Sequence, residues 1–254
     1  MVSIKTKKEI EIMRKGGGIT AAILDVMKKA VKPGISTGEL DEIARREIKK
    51  YSVESSFEGY RPAPRSRPFP RVVCVSINDE IVHAVPGERV LEESDIVSLD
   101  FSVKHRGLHT DAALTLPVGK VSKKAEELIA VTEEALRIGI MAAKAGAYLG
   151  DVGRAIQKYV EERGFGIVRD LAGHGIGKNL HEEPLVLNYG NPGEGTELKE
   201  GMTIAIEPMI TEGDFRIKQG NDGFVFKTID GKLSAHFEHT VLITKSGGEV
   251  LTKL

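Results

Sequence analysis

A spacing of 112 residues recurs along this chain. Gly34, Gly38, Glu39 and Leu40 of PGISTGELDEIARREIKKY reappear as Gly146, Gly150, Asp151 and Val152 of AGAYLGDVGRAIQKYVEERG, each 112 positions later. The first copy has a helical pattern: Ser36 and Glu39 have capping-box spacing, and Leu40, Ile43 and Ile48 line one side. Another helix precedes it. Thr6 and Glu9 open that helix, Ile12, Ile19, Ile23, Val26 and Met27 are its apolar positions, and Pro33-Gly34 stops it. Gly16, Gly17 and Gly18 are expected to weaken it locally. Upstream of the second copy, Ser122 to Ala143 matches it in length and apolar spacing. An offset shared over this length points to two homologous halves, each with two helices followed by strands, and the period is too long for a solenoid. Two helix pairs on one face of a combined sheet leave the opposite, concave face free.

The strands carry acids toward that free face. From Ser98 to Thr115 the chain reads SLDFSVKHRGLHTDAALT. Side chains alternate along a strand, so Val97, Leu99, Phe101 and Val103 fall on one side, and Ser98, Asp100 and Ser102 on the other. Downstream, Leu108, Thr110, Ala112, Leu114 and Leu116 oppose His109, Asp111, Ala113 and Thr115. His105-Arg106-Gly107 has the composition of a hairpin turn, which would aim Asp100 and Asp111 into one cavity. The pattern recurs in GMTIAIEPMI, where Thr203, Ala205 and Glu207 oppose Met202, Ile204 and Ile206. It recurs again in SAHFEHTVLIT, where Ser234, His236, Glu238 and Thr240 oppose Ala235, Phe237, Val241 and Ile243. A single strand-borne acid is usually an edge carboxylate facing water. Four of them on faces otherwise lined by small side chains leave room for something in front.

Composition narrows the class. Of 254 residues 41% are hydrophobic and 29% charged, enough for a core in one large or two small domains. A formal net charge of −1 provides no general attraction to nucleic acid or an anionic membrane. The local basic runs, Lys5, Lys7 and Lys8, then Arg61, Arg65, Arg67 and Arg71, read as a solvated helix face and a solvated loop. Most of the arginines lie in FEGYRPAPRSRPFP, from Phe57 to Pro70, whose prolines predict an extended loop. With no signal-peptide core and no apolar run of membrane-spanning length, a cytoplasmic location is expected. The single cysteine, Cys74, excludes an intrachain disulfide and a thiolate zinc site, and within VVCVSI it reads as a small core hydrophobe rather than a nucleophile.

Asp170 to Pro184 reads DLAGHGIGKNLHEEP. His174 stands between Gly173 and Gly175, an arrangement expected to leave the backbone free of bulk around the imidazole, and His181 follows seven residues later. A lone histidine is more often structural. Beside four strand-borne acids it is better explained as a ligand. Four carboxylates carry a charge of −4, which two divalent cations cancel and one does not. Paired cations bridged by carboxylates acidify a shared water and clamp a tetrahedral species, which is machinery for hydrolysing an amide or a phosphate ester. Oxygen-rich donors with one nitrogen and no sulfur suit Mn, Fe(II) or Co and leave catalytic Zn open.

The ordered set LDFS, HTDAALT, GHGIG, HEEP, IEPM and FEHT resembles the type I methionine aminopeptidases, from the first helix to the last strand. The resemblance implies the pita-bread (creatinase/aminopeptidase) α+β fold, with helices outside a curved, mainly antiparallel sheet. Its two pseudo-symmetric halves would be about 1–118 and 119–254 of a single catalytic domain. It implies removal of the initiator methionine from nascent proteins and peptides with a small second residue, by attack of a metal-bridged hydroxide on the first peptide bond. Two divalent ions (Co, Mn, Fe(II) or Zn) would be held by Asp100, Asp111, His174, Glu207 and Glu238, with Asp111 and Glu238 bridging. Glu207 would also relay the proton of the attacking water, His181 would stabilise the oxyanion, and His83 would meet the scissile amide nitrogen. Tyr60, Phe69, Cys74 and Phe224 match positions lining the methionine pocket, joined by Phe57 and Leu180. Two departures bear on substrate range: RPAPRSRP lengthens the interval between Tyr60 and Cys74, and Phe224 stands where the family has tryptophan. The implied partners are N-termini of nascent polypeptides, with transient ribosome contact, no nucleic acid and no membrane, for a monomeric enzyme.

Three alternatives stand beside this. A proline-specific aminopeptidase or dipeptidase shares the fold but carries a further N-terminal domain, whereas only the first helix precedes Pro33 here. A non-catalytic binding relative would lose ligands, and all five are present. A dinuclear phosphoesterase would carry more histidines.

Overall fold

Two helix pairs back a curved sheet in the computed structural model, which describes residues 2–253. The first pair is α1 (Lys7–Ala30) and α2 (Thr37–Tyr51), the second α3 (Lys123–Ala142) and α4 (Leu149–Glu161). Capping sets their starts. Thr6 Oγ1 accepts from Glu9 N while Glu9 Oε2 accepts from Thr6 N, and Ser36 and Glu39 make the same reciprocal pair, satisfying donors that a helix start leaves open. The 112-residue spacing reappears in the backbone hydrogen bonds. Gly34, Thr37 and Gly38 donate to the carbonyls of Leu91, Arg89 and Gly87; their counterparts Gly146, Leu149 and Gly150 donate to Leu198, Thr196 and Glu194. Gly34 and Gly146 take φ of 92° and 88°, a conformation that glycine adopts without strain.

The strands of the first half are β1 (Glu54–Ser55), β2 (Cys74–Ile77), β3 (Glu80–Val82), β4 (Ile96–His105) and β5 (Leu108–Pro117). Those of the second are β6 (Gly166–Ile167), β7 (Gly173–Gly175), β8 (Glu182–Val186), β9 (Thr203–Ile206), β10 (Met209–Thr211), β11 (Ile217–Gln219), β12 (Phe226–Thr228), β13 (Ser234–His236), β14 (Glu238–Ile243) and β15 (Gly248–Val250). Nine of them form one antiparallel sheet in the order β1-β4-β5-β14-β9-β7-β8, with β2 beside β4 and β15 beside β14. The others form two three-stranded sheets, β13-β10-β6 and β11-β12-β3.

The helices cover one face of the large sheet. Ile23, Met27 and Leu40 pack with Val97, Leu99, Phe101 and Val103, and Leu128, Leu136 and Ile156 pack with Ile204, Ile206, Val241 and Ile243. The apolar side of each strand is therefore the helix-covered side, and alternation sends Asp100 and Asp111 to the other. Among the described residues no helix is long and apolar enough to cross a membrane.

α1 continues through its glycine triplet, and the middle glycine serves packing: a Cβ on Gly17 would stand 2.2 Å from the carbonyl oxygen of Leu251. One local expectation is corrected. GMTIAIEPMI and SAHFEHTVLIT each form two strands, not one: β9 and β10, then β13 and β14. Pro208 has no N–H for a ladder, and the chain changes sheet there, since β9 pairs with β14 while β10 pairs with β13 in a separate sheet. Glu207 thus lies just past the end of a strand, and Glu238 opens one.

Candidate active site

One hairpin supplies both aspartates. β4 and β5 are joined by Arg106 and Gly107, with φ of 50° and 83°, the positive-φ pair of a two-residue turn; His105 itself belongs to β4. The register sets Asp100 opposite Ala113 and Asp111 opposite Ser102, so the acids are diagonal neighbours on one face. Glu238, on the neighbouring strand β14, lies opposite Ala113 as well. Asp100, Asp111 and Glu238 are 7%, 3% and 2% exposed.

Burial pushes every one of these carboxyls up, since it disfavours the charged form. Asp111 rises to about 7 by burial, tempered by the hydrogen bonds it accepts from Ala112 N and Asp100. Asp100 rises well above the usual carboxylate range, by burial and then by the charge of Asp111, so Asp100 keeps the proton the pair shares. Glu207 and Glu238 also rise, by burial and then by neighbouring carboxylates. Asp100 Oδ1, Asp111 Oδ1 and Glu238 Oε1 have no hydrogen-bond partner among the described residues.

His174 occupies the middle of the short strand β7. Its Nδ1–H donates to Gly175 O at 2.9 Å, which leaves a lone pair on Nε2, 3.5 Å from Glu207 Oε1. The glycines beside it serve backbone packing. A Cβ on Gly173 would stand 2.3 Å from Ala205 O, and one on Gly175 2.2 Å from Glu183 O; they let neighbouring backbone close in. Burial lowers His174 to about 4, so it is neutral near pH 7.

This donor set fits divalent cations. One ligand atom each from Asp111, His174 and Glu238 lie within 4.8 Å of one another, as do atoms from Glu207, His236 and Glu238. Glu238 is common to both groups. Oxygens without donors, in a pocket where their charges oppose one another, are what a hard or borderline cation satisfies.

Every side chain singled out from the sequence lines one cavity of about 270 Å³, including His83, His181, Tyr60, Phe69, Cys74 and Phe224 with the five candidate ligands. His83, in a left-handed conformation with φ of 62°, packs edge-on against Phe226 at 5.9 Å between ring centroids. His181 stands edge-on to His174 at 4.3 Å, and its Nδ1 is hydrogen-bonded to the Tyr60 hydroxyl. The lining also carries an aromatic cluster: Phe69 meets Phe57 at 6.2 Å and Phe224 at 5.6 Å, both edge-on. Phe69 reaches it because the arginine-rich loop is closed at its base, Gly59 N donating to Phe69 O and Phe69 N to Tyr60 O. Cys74 sits opposite Asp100 across β2 and β4, and burial beside three carboxylates pushes its thiol well up, which keeps it protonated and inert.

His236, Phe226, Gln219 and Pro62 were not singled out from the sequence. His236 shares the face of Glu238 by simple alternation, which was the available signal; Phe226 and Gln219 come from a separate sheet and had none.

The chain was compared with known proteins. A profile of metallopeptidase family M24 matches residues 11–245. The chain is 46% identical over 254 residues to methionine aminopeptidase 1 of Bacillus subtilis, covering 100% of each, and 46% identical over 252 residues to a methionine aminopeptidase of Clostridium perfringens, covering 99% of each. The crystal structure of a methionine aminopeptidase from Thermotoga maritima superposes with a TM-score of 0.96 at 44% identity, covering 100% of both chains. A Xaa-Pro dipeptidase from Bacillus anthracis superposes with a TM-score of 0.77 at 25% identity, and only 62% of its length is covered. The architecture is the pita-bread α+β fold, its curled antiparallel sheet backed by four helices. The chain belongs to metallopeptidase family M24 and, within it, to the methionine aminopeptidases.

Proposed function

We infer that this chain removes the N-terminal methionine from nascent proteins and peptides, preferring a small second residue, as one catalytic domain of residues 1–254 with halves near 1–118 and 119–254. One observation carries this: Glu238, common to both donor groups, lines the same cavity as the other four candidate ligands and the aromatic side chains of Phe57, Tyr60, Phe69 and Phe224. Asp100, Asp111, His174, Glu207 and Glu238 would hold two divalent cations, and Mn, Fe(II), Co and Zn all suit the set. Bound there, such cations supply Lewis-acid polarisation of a carbonyl and of water.

The protein's own groups do the rest. Glu207 takes the proton of the attacking water and returns it to the departing amine nitrogen. His181, with the Tyr60 hydroxyl donating to Nδ1, presents Nε2–H to the carbonyl oxygen as charge builds on it. His83 contacts the scissile amide nitrogen. Burial holds His83 at about 4 and His181 at about 3, so both act as neutral hydrogen-bonding groups near pH 7. The methionine side chain lies among Phe57, Tyr60, Phe69, Cys74, Leu180 and Phe224, where an unbranched thioether fits against aromatic edges. The enzyme works as a cytoplasmic monomer with transient ribosome contact; a net charge of −1 supports the absence of nucleic-acid or membrane binding.

The test is release of methionine from Met-Gly peptides, with Xaa-Pro peptides as controls, after loading with Mn, Fe(II), Co or Zn. Methionine release with at least one metal and no Xaa-Pro cleavage is expected. Cleavage of Xaa-Pro peptides alone would assign the dipeptidase activity instead, and failure to take up any cation would point to a binding relative.

A further inference from the structure

His236 is a buried histidine that stands beside Glu207 and Glu238 but outside the five proposed ligands. It is 1% exposed, and neither ring nitrogen has a hydrogen-bond partner among the described residues. Its main chain is held rigidly: His236 N donates to Thr115 Oγ1 at 2.9 Å and Thr115 Oγ1 donates to His236 O at 2.8 Å. The backbone carrying the ring is thus clamped between β13 and β5. Nε2 lies 3.7 Å from Glu207 Oε2 and 4.0 Å from Glu238 Oε2. Glu207 therefore stands between two imidazoles, one oxygen toward His174 and the other toward His236.

The two rings differ. His174 has its Nδ1–H anchored on a backbone carbonyl, the arrangement typical of a ligating histidine, while His236 has no such anchor. A neutral imidazole carries one N–H, and one carboxylate oxygen each of Glu207 and Glu238 lies within 4.0 Å of His236 Nε2. An approach of roughly 0.7 Å brings Nε2 within hydrogen-bond range of Glu207.

We propose that His236 is a positioning residue that donates Nε2–H to the Glu207 carboxylate, and braces it together with Glu238 in the orientation that grips a divalent cation. This rests on the metal-site reading of Glu207 and Glu238, and it adds to it a donor to their carboxylates. An apolar side chain of similar size would fill the space but leave both glutamates free to rotate. A side-chain amide would restore a donor.

The experiment compares full-length wild type, His236→Leu and His236→Gln by calorimetric titration with Mn²⁺, together with the visible absorption spectrum of each protein loaded with Co²⁺. Cooperative thermal unfolding of the cation-free variants checks that each is folded. The expected result is a loss of Mn²⁺ affinity of about tenfold in His236→Leu, recovered for the most part in His236→Gln, with the Co²⁺ bands of His236→Gln unmoved. Equal affinities in wild type and a folded His236→Leu would overturn the inference and leave the metal site standing. A His236→Gln protein as weak as His236→Leu, with shifted Co²⁺ bands, would overturn it in favour of direct ligation. A wild type that binds no Mn²⁺ or Co²⁺ would overturn the metal site itself, and this inference with it.

Discussion

Asp111 and Thr240 exchange two hydrogen bonds across β5 and β14: Asp111 N donates to Thr240 Oγ1 at 2.8 Å, and Thr240 Oγ1 donates back to Asp111 O at 2.9 Å. Thr240 is fully buried and lies two residues beyond Glu238 on the same strand. One hydroxyl therefore fixes the spacing of two of the proposed ligands. Thr240→Val keeps the shape and removes both bonds. It should lower stability by about 1–3 kcal/mol, because a buried N–H is left unpaired, and weaken cation binding about tenfold. Urea unfolding and metal titration of the variant measure the two effects separately.

Asp111→Asn should reduce methionine release by more than about 100-fold along with cation affinity, since a direct ligand matters at least as much as its outer partners. The cation-free variant should be more stable than wild type at pH 8, because one of four mutually repelling buried acids is gone. Full activity with two bound metals in this variant would contradict the assigned role.

The same acids set a pH dependence of stability. A carboxyl whose folded pKa lies above its unfolded value binds more protons when folded, so it contributes less to stability as pH rises through the folded value. Asp111, moved from 3.8 to about 7, and Glu207 and Glu238, raised well above their usual range by burial and neighbouring carboxylates, act in this direction. Buried histidines act oppositely but below pH 6.5, since His109, His174 and His239 titrate at about 4 when folded. Between pH 7 and 8 only the acids count. Thermal unfolding in chelator should show stability falling across that window, and saturating divalent cation should abolish the fall.

Tyr60→Phe keeps the aromatic wall and removes the hydroxyl that meets His181 Nδ1. Loss of a fixed tautomer should lower kcat about tenfold or more while KM for methionyl peptides and metal stoichiometry stay near wild type. Steady-state kinetics with metal analysis decides it; an unchanged kcat would release Tyr60 from this task.

The glycines of α1 separate packing from propensity. Gly17→Ala drives a methyl into Leu251 O and should destabilise by about 1–3 kcal/mol. Gly18→Ala meets nothing within 4 Å and should stabilise by up to about 1 kcal/mol. Melting temperatures moving in opposite directions for neighbouring positions are the signature.

How much of this was readable beforehand follows from the range of each signal. Capping boxes, the shared face of Asp100 and Asp111, and the ligand motifs are patterns of neighbouring residues that alternation or helical period exposes, and the 112-residue spacing emerges when the chain is set against itself, all without knowledge of the fold. The chain by itself therefore determined the helices, the acid-bearing faces and the family resemblance. Tertiary structure alone decided where β9 and β13 end, how the glycines of α1 and β7 are used, and that His236 comes to rest between Glu207 and Glu238. It also decided that Tyr60 meets His181 and that Phe226 joins the cavity from a separate sheet. These contacts link residues far apart in sequence through the sheet register and the close approach of backbones, and no local period encodes which strand will lie beside which.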